Sequence, residues 1–218
     1  MVIVEGATEE SFVNNVLAPA LWAHSVYATA VIIGVPGHKG GRVSYSRLSK
    51  DILKVLKQDR LVYCSTMVDW YGLGDGFPGH PPPLNLPASE KARSIEAGIY
   101  ADIVEQIPEF QPETRFIPYI QLHEYEGLLF SDPQAFATAI NRPQLSATFQ
   151  KIRDDFNTPE DINDDPETAP SKRIKAACSY SKVIDGTKAA KLVGLIRMRA
   201  ECPHFAEWVH RLENLPEL

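Results

Sequence analysis

The sequence predicts an α/β fold with a mostly parallel, four-stranded sheet flanked by helices, followed by a helical C-terminal third. Two patterns indicate this class. Strand-like and helix-like segments alternate up to about residue 130, which is typical of parallel β-α-β units. Beyond that point only helical patterns recur. We therefore expect an α/β domain over residues 1–132 and a helical extension over residues 133–218, packed on the same core.

Four apolar segments are the predicted strands. The first, Val2-Ile3-Val4, is a continuous β-branched run, as expected of a strand that is buried on both faces of a parallel sheet. The others cover residues 28–35, 61–68 and 116–122. Pro118 removes a backbone donor from the last strand, which favours a position at the edge or end of the sheet.

Helical periodicity separates and follows these strands. We expect the first helix to begin near Thr8, a plausible N-cap, and to end before Pro19. Further helices are predicted over 44–56, 89–107, 134–140, 145–156, 171–177, 187–200 and 205–212.

Three segments are predicted loops. Residues 36–41 are rich in glycine and read as a flexible loop, and the acidic segment 158–166 is expected to be a surface loop that does not pack. Residues 70–83 are rich in glycine and proline but contain Trp70, Tyr71 and Phe77. Because these aromatic rings are costly to expose, we expect a lid rather than a disordered segment.

Composition limits the class of protein. With 218 residues, 44% of them hydrophobic, the chain can bury a sizeable core. It has no stretch of roughly 20 apolar residues and no basic leader before the first strand, so we expect a soluble, cytoplasmic protein without a membrane partner. Three widely spaced cysteines argue against a disulfide framework.

Charge is distributed unevenly. The net charge of −6 does not suit a protein that coats nucleic acid with a broad basic surface. Residues 172–199, however, carry eight basic side chains against the single acid Asp185. This stretch is the only candidate for a phosphate-facing surface, and a set of solvated helix faces is the alternative.

Ionisable side chains follow three of the predicted strands. Glu5 comes after the first strand, Asp69 after the third, and His123, Glu124 and Glu126 after the fourth. Since parallel strands end at a common edge, these side chains could converge in one acidic pocket. Clustered carboxylates repel one another unless neutralised, so convergence predicts binding of Mg²⁺ or Mn²⁺. Alternatively, each acid is simply an exposed strand terminus.

The motifs carry a resemblance to known proteins. Val-Ile-Val-Glu5-Gly-x-Thr-Glu9 before a helix, with Asp69 ending a later strand, resembles the Rossmann-like TOPRIM fold of topoisomerases, primases and OLD-type nucleases. The segments starting at Glu5, His123, Thr168 and Cys202 are similar to an uncharacterised bacterial TOPRIM-like family, often encoded beside an ATPase of the SMC/ABC type. The resemblance implies a metal-dependent nuclease. The resemblance also implies an Asp-x-Asp element that begins at Asp69, but the position of its second acid is Tyr71 in this sequence. Glu124 or Glu126 would then have to supply the missing carboxylate oxygens for the metal.

We therefore expect a Mg²⁺- or Mn²⁺-dependent nuclease or phosphodiester-transfer enzyme that acts on DNA in preference to RNA, in phage defence or DNA metabolism. The expected metal ligands are Glu5, Asp69, Glu124 and Glu126, and the expected catalytic residues are Glu5, Asp69, His123, Glu124, Lys172 and Arg173. Lys172 and Arg173 would stabilise developing phosphate charge, with Lys182 a weaker candidate. His123 is either a general acid or a satisfied buried histidine.

Two other functions fit the sequence. The first is a non-catalytic TOPRIM-like subunit that binds an SMC/ABC-type ATPase partner and nucleic acid, which the Tyr71 position and the acidic net charge favour. The second is a phosphatase with Asp69 as nucleophile. The missing second aspartate argues against the phosphatase.

Overall fold

The structure is a computed structural model that describes residues 1–34, 43–74, 76–82, 86–162 and 168–217. By internal packing, the chain divides into two compact units. The first unit comprises Met1–Glu10, Ala28–Gln121 and the C-terminal stretch from Pro216, and the second comprises Ser11–Tyr27 and Leu122–Leu215. The predicted domain boundary at residue 132 concerns independently folding domains, which this division does not test, and it stays a prediction.

The predicted α/β class with a parallel sheet is confirmed. The sheet lies in the first unit and has the order β2-β1-β3-β4, with β5 also pairing with β3. Every strand pair is parallel. The strands are β1 (Val2–Val4), β2 (Ala30–Ile32), β3 (Cys64–Asp69), β4 (Phe116–Ile117) and β5 (Ile120–Gln121).

The fourth predicted strand is interrupted at Pro118, and its two halves, β4 and β5, both pair with β3. The Thr66 side chain of β3 bridges the interruption. Its hydroxyl donates to the Tyr119 carbonyl at 2.9 Å and accepts from the Tyr119 N–H at 2.8 Å. Strand β4 is last in the strand order, so the edge position expected from Pro118 is confirmed. The Thr66 side chain replaces the ladder hydrogen bonds that are missing at the interruption.

Helices of the first unit pack apolar stripes at helical spacing. Helix α3 (Tyr45–Gln58) buries Leu48, Ile52, Val55 and Leu56, and α4 (Ala88–Gln106) buries Ala92, Ile95, Ile99 and Ile103. The short α5 (Pro112–Arg115) ends in a buried arginine whose guanidinium donates to four backbone carbonyls. Burial of this cation is thereby compensated by hydrogen bonds.

The first predicted helix does not end at Pro19, so that prediction is wrong. Helix α1 (Ala7–Phe12) continues into a π-helical turn (Val13–Leu17), helix α2 (Ala18–Leu21) and a 3-10 turn (Trp22–His24). Pro19 lies in the first turn of α2, where the missing N–H matters least.

The remaining helices belong to the second unit, and the predicted helix 187–200 is broken by Gly194 with φ 79°. Phe130, Phe136 and Phe149 pack together in the core with ring centroids 4.7–5.7 Å apart. The helices are α6 (Pro133–Ala139), α7 (Ser146–Asp154), α8 (Pro170–Ala177), α9 (Ile184–Val193), α10 (Leu195–Glu201) and α11 (Pro203–Glu213).

The prediction that the acidic segment 158–166 does not pack is wrong for its first half. Thr158 and Asp161 form a capping box, and Pro159, Glu160 and Ile162 are buried. Residues 163–166 lie outside the described residues, as does the predicted loop 36–41. In the predicted lid, Phe77 is buried against Tyr45, with ring centroids 5.5 Å apart.

Across the described ranges, no helix combines the length and hydrophobicity that a membrane-spanning segment needs.

Candidate functional site

The first unit brings the ends of two acid-bearing strands together. Strands β1 and β3 are adjacent and parallel, with Val4 opposite Met67. Glu5 directly follows β1, and Asp69 is the last residue of β3, where it is only 8% exposed. The two acids therefore lie at the carboxyl ends of neighbouring strands, whose backbones run about 5 Å apart. This edge is where open α/β sheets bind ligands.

Gly72 allows the Glu5 carboxylate to reach the turn after Asp69. Trp70–Gly72 is a 3-10 turn that begins immediately after β3. A Cβ atom at Gly72 would lie 2.7 Å from Glu5 Cδ and would overlap the carboxylate oxygens. A larger residue at position 72 would therefore require the Glu5 carboxylate to move, so glycine allows the position that this side chain takes.

Glu9 of the Glu-Gly-x-Thr-Glu motif has a structural task. Its Oε2 accepts a hydrogen bond of 2.9 Å from the Gly6 N–H, just before helix α1. This is the carboxylate half of a capping box, in which the residue in the first turn reaches back to the N-cap backbone. Glu9 therefore stabilises the turn that carries Glu5, and Gly6, rather than Thr8, takes the N-cap position.

The second unit gathers Glu124, Glu126 and Lys182. The Lys182 ammonium lies 3.1 Å from Glu126 Oε2 and 3.5 Å from Glu124 Oε1. Glu124 also accepts two hydrogen bonds from Ser171, at 2.9 Å from its N–H and 3.0 Å from its hydroxyl, in the first turn of α8. Both carboxylates thus have positive or N–H partners from the chain itself.

Glu126 is completely buried. Burial raises the pKa of its carboxyl to about 7, an effect that the nearby Lys182 opposes and Glu124 reinforces. Tyr180 is also buried, and burial together with Glu126 raises the pKa of its phenol. Within the described part of the chain, neither Glu126 Oε1 nor the Tyr180 hydroxyl makes a hydrogen bond. The surroundings of Glu126 therefore favour its protonated form more than water does.

The other predicted catalytic residues also lie in the second unit. His123 is buried and adopts a left-handed backbone conformation with φ 56°, which histidine tolerates better than most residues. Arg173 donates from Nε to the Thr168 carbonyl at 2.8 Å and lies over the Phe156 ring, 5.4 Å from its centroid. Lys172, in the same helix turn, is exposed.

The structure thus brings the predicted site residues together in two groups, Glu5 with Asp69 in the first unit and Glu124 with Glu126 in the second. Convergence of all four in one pocket stays a prediction. Among the described residues, no group of three or more histidines, cysteines, aspartates or glutamates is arranged to hold a metal ion.

Sequence reasoning missed Gly72 and Glu160. Glu160 is buried and accepts hydrogen bonds from the N–H groups of His204 and Phe205, at 2.9 and 2.8 Å, in the first turn of α11. Burial raises the pKa of its carboxyl, against the opposing effect of these two N–H groups. The Thr158-x-x-Asp161 capping box was the available signal that this segment is ordered.

Fold and site together define an α/β protein with a parallel sheet and acidic residues at the carboxyl ends of its strands. The chain belongs to a family described as a domain of unknown function, DUF4276, whose model matches residues 4–213. No curated protein and no solved structure matches the sequence significantly.

Proposed function

We propose that this protein is a Mg²⁺- or Mn²⁺-dependent nuclease or related phosphodiester-transfer enzyme of TOPRIM-like type, with Glu5 and Asp69 as the central acids. The observation that carries the proposal is their placement. Glu5 follows β1, Asp69 ends the neighbouring parallel strand β3, and the Glu5 carboxylate packs against Gly72 in the turn after Asp69.

Two acids suit the way in which Mg²⁺ is commonly bound. This ion keeps several waters and takes one or two carboxylates together with phosphate oxygens of the substrate. A site of three or more protein ligands is therefore not required. The pair formed by Glu5 and Asp69 fits this mode, and Tyr71, in the adjacent 3-10 turn, stands where the TOPRIM resemblance leads one to expect a further acid.

When bound, the metal would polarise a phosphate oxygen and lower the pKa of an attacking water. The chain supplies the placement. The paired strands β1 and β3 fix the backbone of both acids, the Glu9 cap holds the turn after Glu5, and Gly72 leaves room for the Glu5 carboxylate. This rigidity keeps both carboxylates oriented without reorganisation during the reaction.

Lys172 and Arg173 stay the proposed source of positive charge. Lys172 is exposed in the first turn of α8 and is the candidate for contacting a substrate phosphate. Arg173 is held by Thr168 and Phe156, so a direct phosphate contact would require it to exchange these partners. His123 stays in the proposal as a general acid, and Glu124 and Glu126 stay as supporting acids. The ion pairs of both glutamates with Lys182 argue against their binding the metal directly.

The test is cleavage of single- and double-stranded DNA and RNA oligonucleotides with Mg²⁺ or Mn²⁺, comparing wild type with Glu5→Gln. Glutamine keeps the size of the side chain beside Gly72 but removes the charge. We expect cleavage that needs the metal, favours DNA and falls by about 100-fold or more in Glu5→Gln. Binding of Mn²⁺, followed by paramagnetic resonance, should weaken in the same variant.

Glu10→Gln is the matched control, because Glu10 lies in the same helix start and has no part in the proposed site. It should cleave like wild type and unfold at the wild-type temperature within about 2 °C, and circular dichroism should show that Glu5→Gln is folded. Cleavage by Glu5→Gln at the wild-type rate would remove Glu5 from the mechanism.

The alternative function is a non-catalytic TOPRIM-like subunit that binds an ATPase partner of the SMC/ABC type and nucleic acid. It is favoured by the contacts that Glu124 and Glu126 make within the chain. Both carboxylates form ion pairs with Lys182, and Glu124 also accepts a hydrogen bond from the first turn of α8. Copurification with such an ATPase, without cleavage of any oligonucleotide in either metal, would support this alternative over the nuclease.

A further inference from the structure

We propose that the exposed face of helix α9, formed by Ile184, Lys188, Lys191 and Leu192, is a docking site for an acidic amphipathic segment of a partner protein. We call these four residues the α9 face. This inference is independent of the proposed nuclease activity.

The α9 face is defined by the helical repeat. Its members are spaced i, i+4, i+7 and i+8, so they share one side of the helix. The opposite side buries Gly186, Ala189, Ala190 and Val193. Helix α9 is thus packed along one side by small residues and presents larger side chains on the other.

The apolar members of the face are unusually exposed. Ile184 is 61% exposed and Leu192 is 53% exposed, while Val183, just before the helix, and Ile196, in α10, are exposed as well. Single exposed aliphatic residues are common on protein surfaces, but Ile184 and Leu192 share one helix face, which favours an interaction site.

Hydrogen bonds anchor the helix beside the face. The Thr187 hydroxyl lies 2.7 Å from the Ser11 hydroxyl of helix α1, and the Lys191 ammonium donates to Asn15 Oδ1 at 3.4 Å. Helix α9 is therefore held against its neighbour within the second unit, so the face is a preformed platform rather than a loose segment.

The charge of the face is positive. Lys188 and Lys191 are exposed, and in the described ranges neither has a carboxylate within 4 Å. The nearest acid along the helix, Asp185, accepts from the Ser181 N–H at 2.8 Å and so caps the start of the helix. Two lysines between two aliphatic residues complement a surface that presents carboxylates around an apolar centre.

This combination favours a protein over a nucleic acid. Surfaces that bind single-stranded nucleic acid combine basic residues with aromatic rings on which bases stack, and those that bind duplexes are mainly basic and polar, whereas the large members of the α9 face beside its lysines are aliphatic. An amphipathic helix with leucine-like residues at i and i+4, flanked by aspartate or glutamate, would bury Ile184 and Leu192 and pair with both lysines.

The experiment is site-specific photo-crosslinking of the full chain in its native cells. A photoreactive benzoylphenylalanine replaces Ile184 or Leu192, and the same replacement at Leu61, which is 73% exposed in the first unit, is the matched control. We expect both α9-face probes, and not the Leu61 probe, to crosslink one protein. The crosslinked peptide should contain acidic residues beside apolar ones.

A charge exchange then tests the recognition itself. Adding Lys188→Glu and Lys191→Glu should lower the crosslink yield by about tenfold, and Lys188→Gln with Lys191→Gln should lower it less. Replacing the acids of the crosslinked peptide by lysine should restore the yield with the glutamate variant. Circular dichroism should show a folded chain for all the variants, because the side chains are exposed, with a small decrease in the unfolding temperature where Lys191 loses its hydrogen bond to Asn15.

Other outcomes would overturn the proposal. These are crosslinks to nucleic acid, to a second copy of this chain or to a peptide without acidic residues, and a yield at Ile184 and Leu192 no higher than at Leu61.

Discussion

The strand-end acids of the first unit and the glutamates of the second unit look alike in the sequence but differ in their surroundings. Glu5 and Asp69 are positioned by two neighbouring parallel strands, and the Glu5 carboxylate packs against the backbone at Gly72. In the second unit, Glu124 and Glu160 accept hydrogen bonds from the first turns of helices α8 and α11, and Glu126 pairs with Lys182.

The difference indicates different tasks. A carboxylate that accepts helix N–H groups satisfies donors that the helix cannot use itself, and so it stabilises the fold. A carboxylate at the end of a parallel strand, fitted against a glycine, contributes less to stability and is placed where ligands bind. The comparison predicts that substitutions in the second unit mainly change the free energy of unfolding, whereas those beside Glu5 mainly change the site.

The largest expected effect on stability is that of Glu160→Ala. The change leaves the buried N–H groups of His204 and Phe205 without their acceptor and should lower the free energy of unfolding by about 3 kcal/mol. Chemical denaturation followed by circular dichroism measures this loss.

Glu109→Ala is the control, because Glu109 is an exposed acid in a 3-10 turn, and it should change stability by less than about 0.5 kcal/mol. A similar, small effect of both substitutions would mean that Glu160 does not cap α11, and it would break the distinction between the two regions.

The pH dependence of stability tests Glu126. Its folded-state pKa of about 7 lies above the ordinary value of 4.5, so the folded protein keeps a proton that the unfolded chain has lost between these pH values. The free energy of unfolding should therefore fall as pH rises from 4.5 to 7, by an amount on the order of 3 kcal/mol from this group. Glu126→Gln removes the titrating group.

The measurement is the difference in unfolding free energy between Glu126→Gln and wild type from pH 4 to pH 8. We expect the difference to grow in favour of the variant across the window from 4.5 to 7 and to level off above it. A difference that is constant with pH would show that the surroundings of Glu126 do not favour its protonated form.

Much of the fold follows from the sequence because it depends on local patterns. The β-branched run at Val2, the apolar stripe of α3 and the acids after three of the four predicted strands are visible in the order of residues. The π-helical turn before Pro19 and the break at Gly194 depend on packing and backbone conformation that no simple periodicity encodes. These are the places where the predicted helix ends are wrong.

The site was harder to predict, because a carboxylate's role depends on partners that are distant in the chain. Spacing identifies Glu124 and Glu126 as acids after a strand, but Lys182 and Ser171, more than 40 residues away, neutralise and bind them. Glu160 was placed in a solvated acidic loop, although it caps a helix 44 residues further on. Only the arrangement in space separates these tasks.

The substitution Gly72→Ala tests whether the Glu5 carboxylate of the first unit depends on the space that Gly72 leaves. The added methyl group would lie 2.7 Å from Glu5 Cδ, so either the carboxylate or the turn after Asp69 has to move. Because the carboxylate is the end of a flexible side chain, we expect it to move, with weaker Mn²⁺ binding if Glu5 is a ligand. The free energy of unfolding should fall by only about 1 kcal/mol, the low end for overpacked positions.

A double-mutant cycle separates this clash from a general effect of alanine in the turn. In the Glu5→Ala background the carboxylate is absent, so the loss caused by Gly72→Ala should be smaller than in wild type by at least about 0.5 kcal/mol, as expected for residues in direct contact. Equal costs in the two backgrounds would show that Gly72 is needed for the turn alone. The strand-end acid would then lack the fitted position that distinguishes it from the glutamates of the second unit.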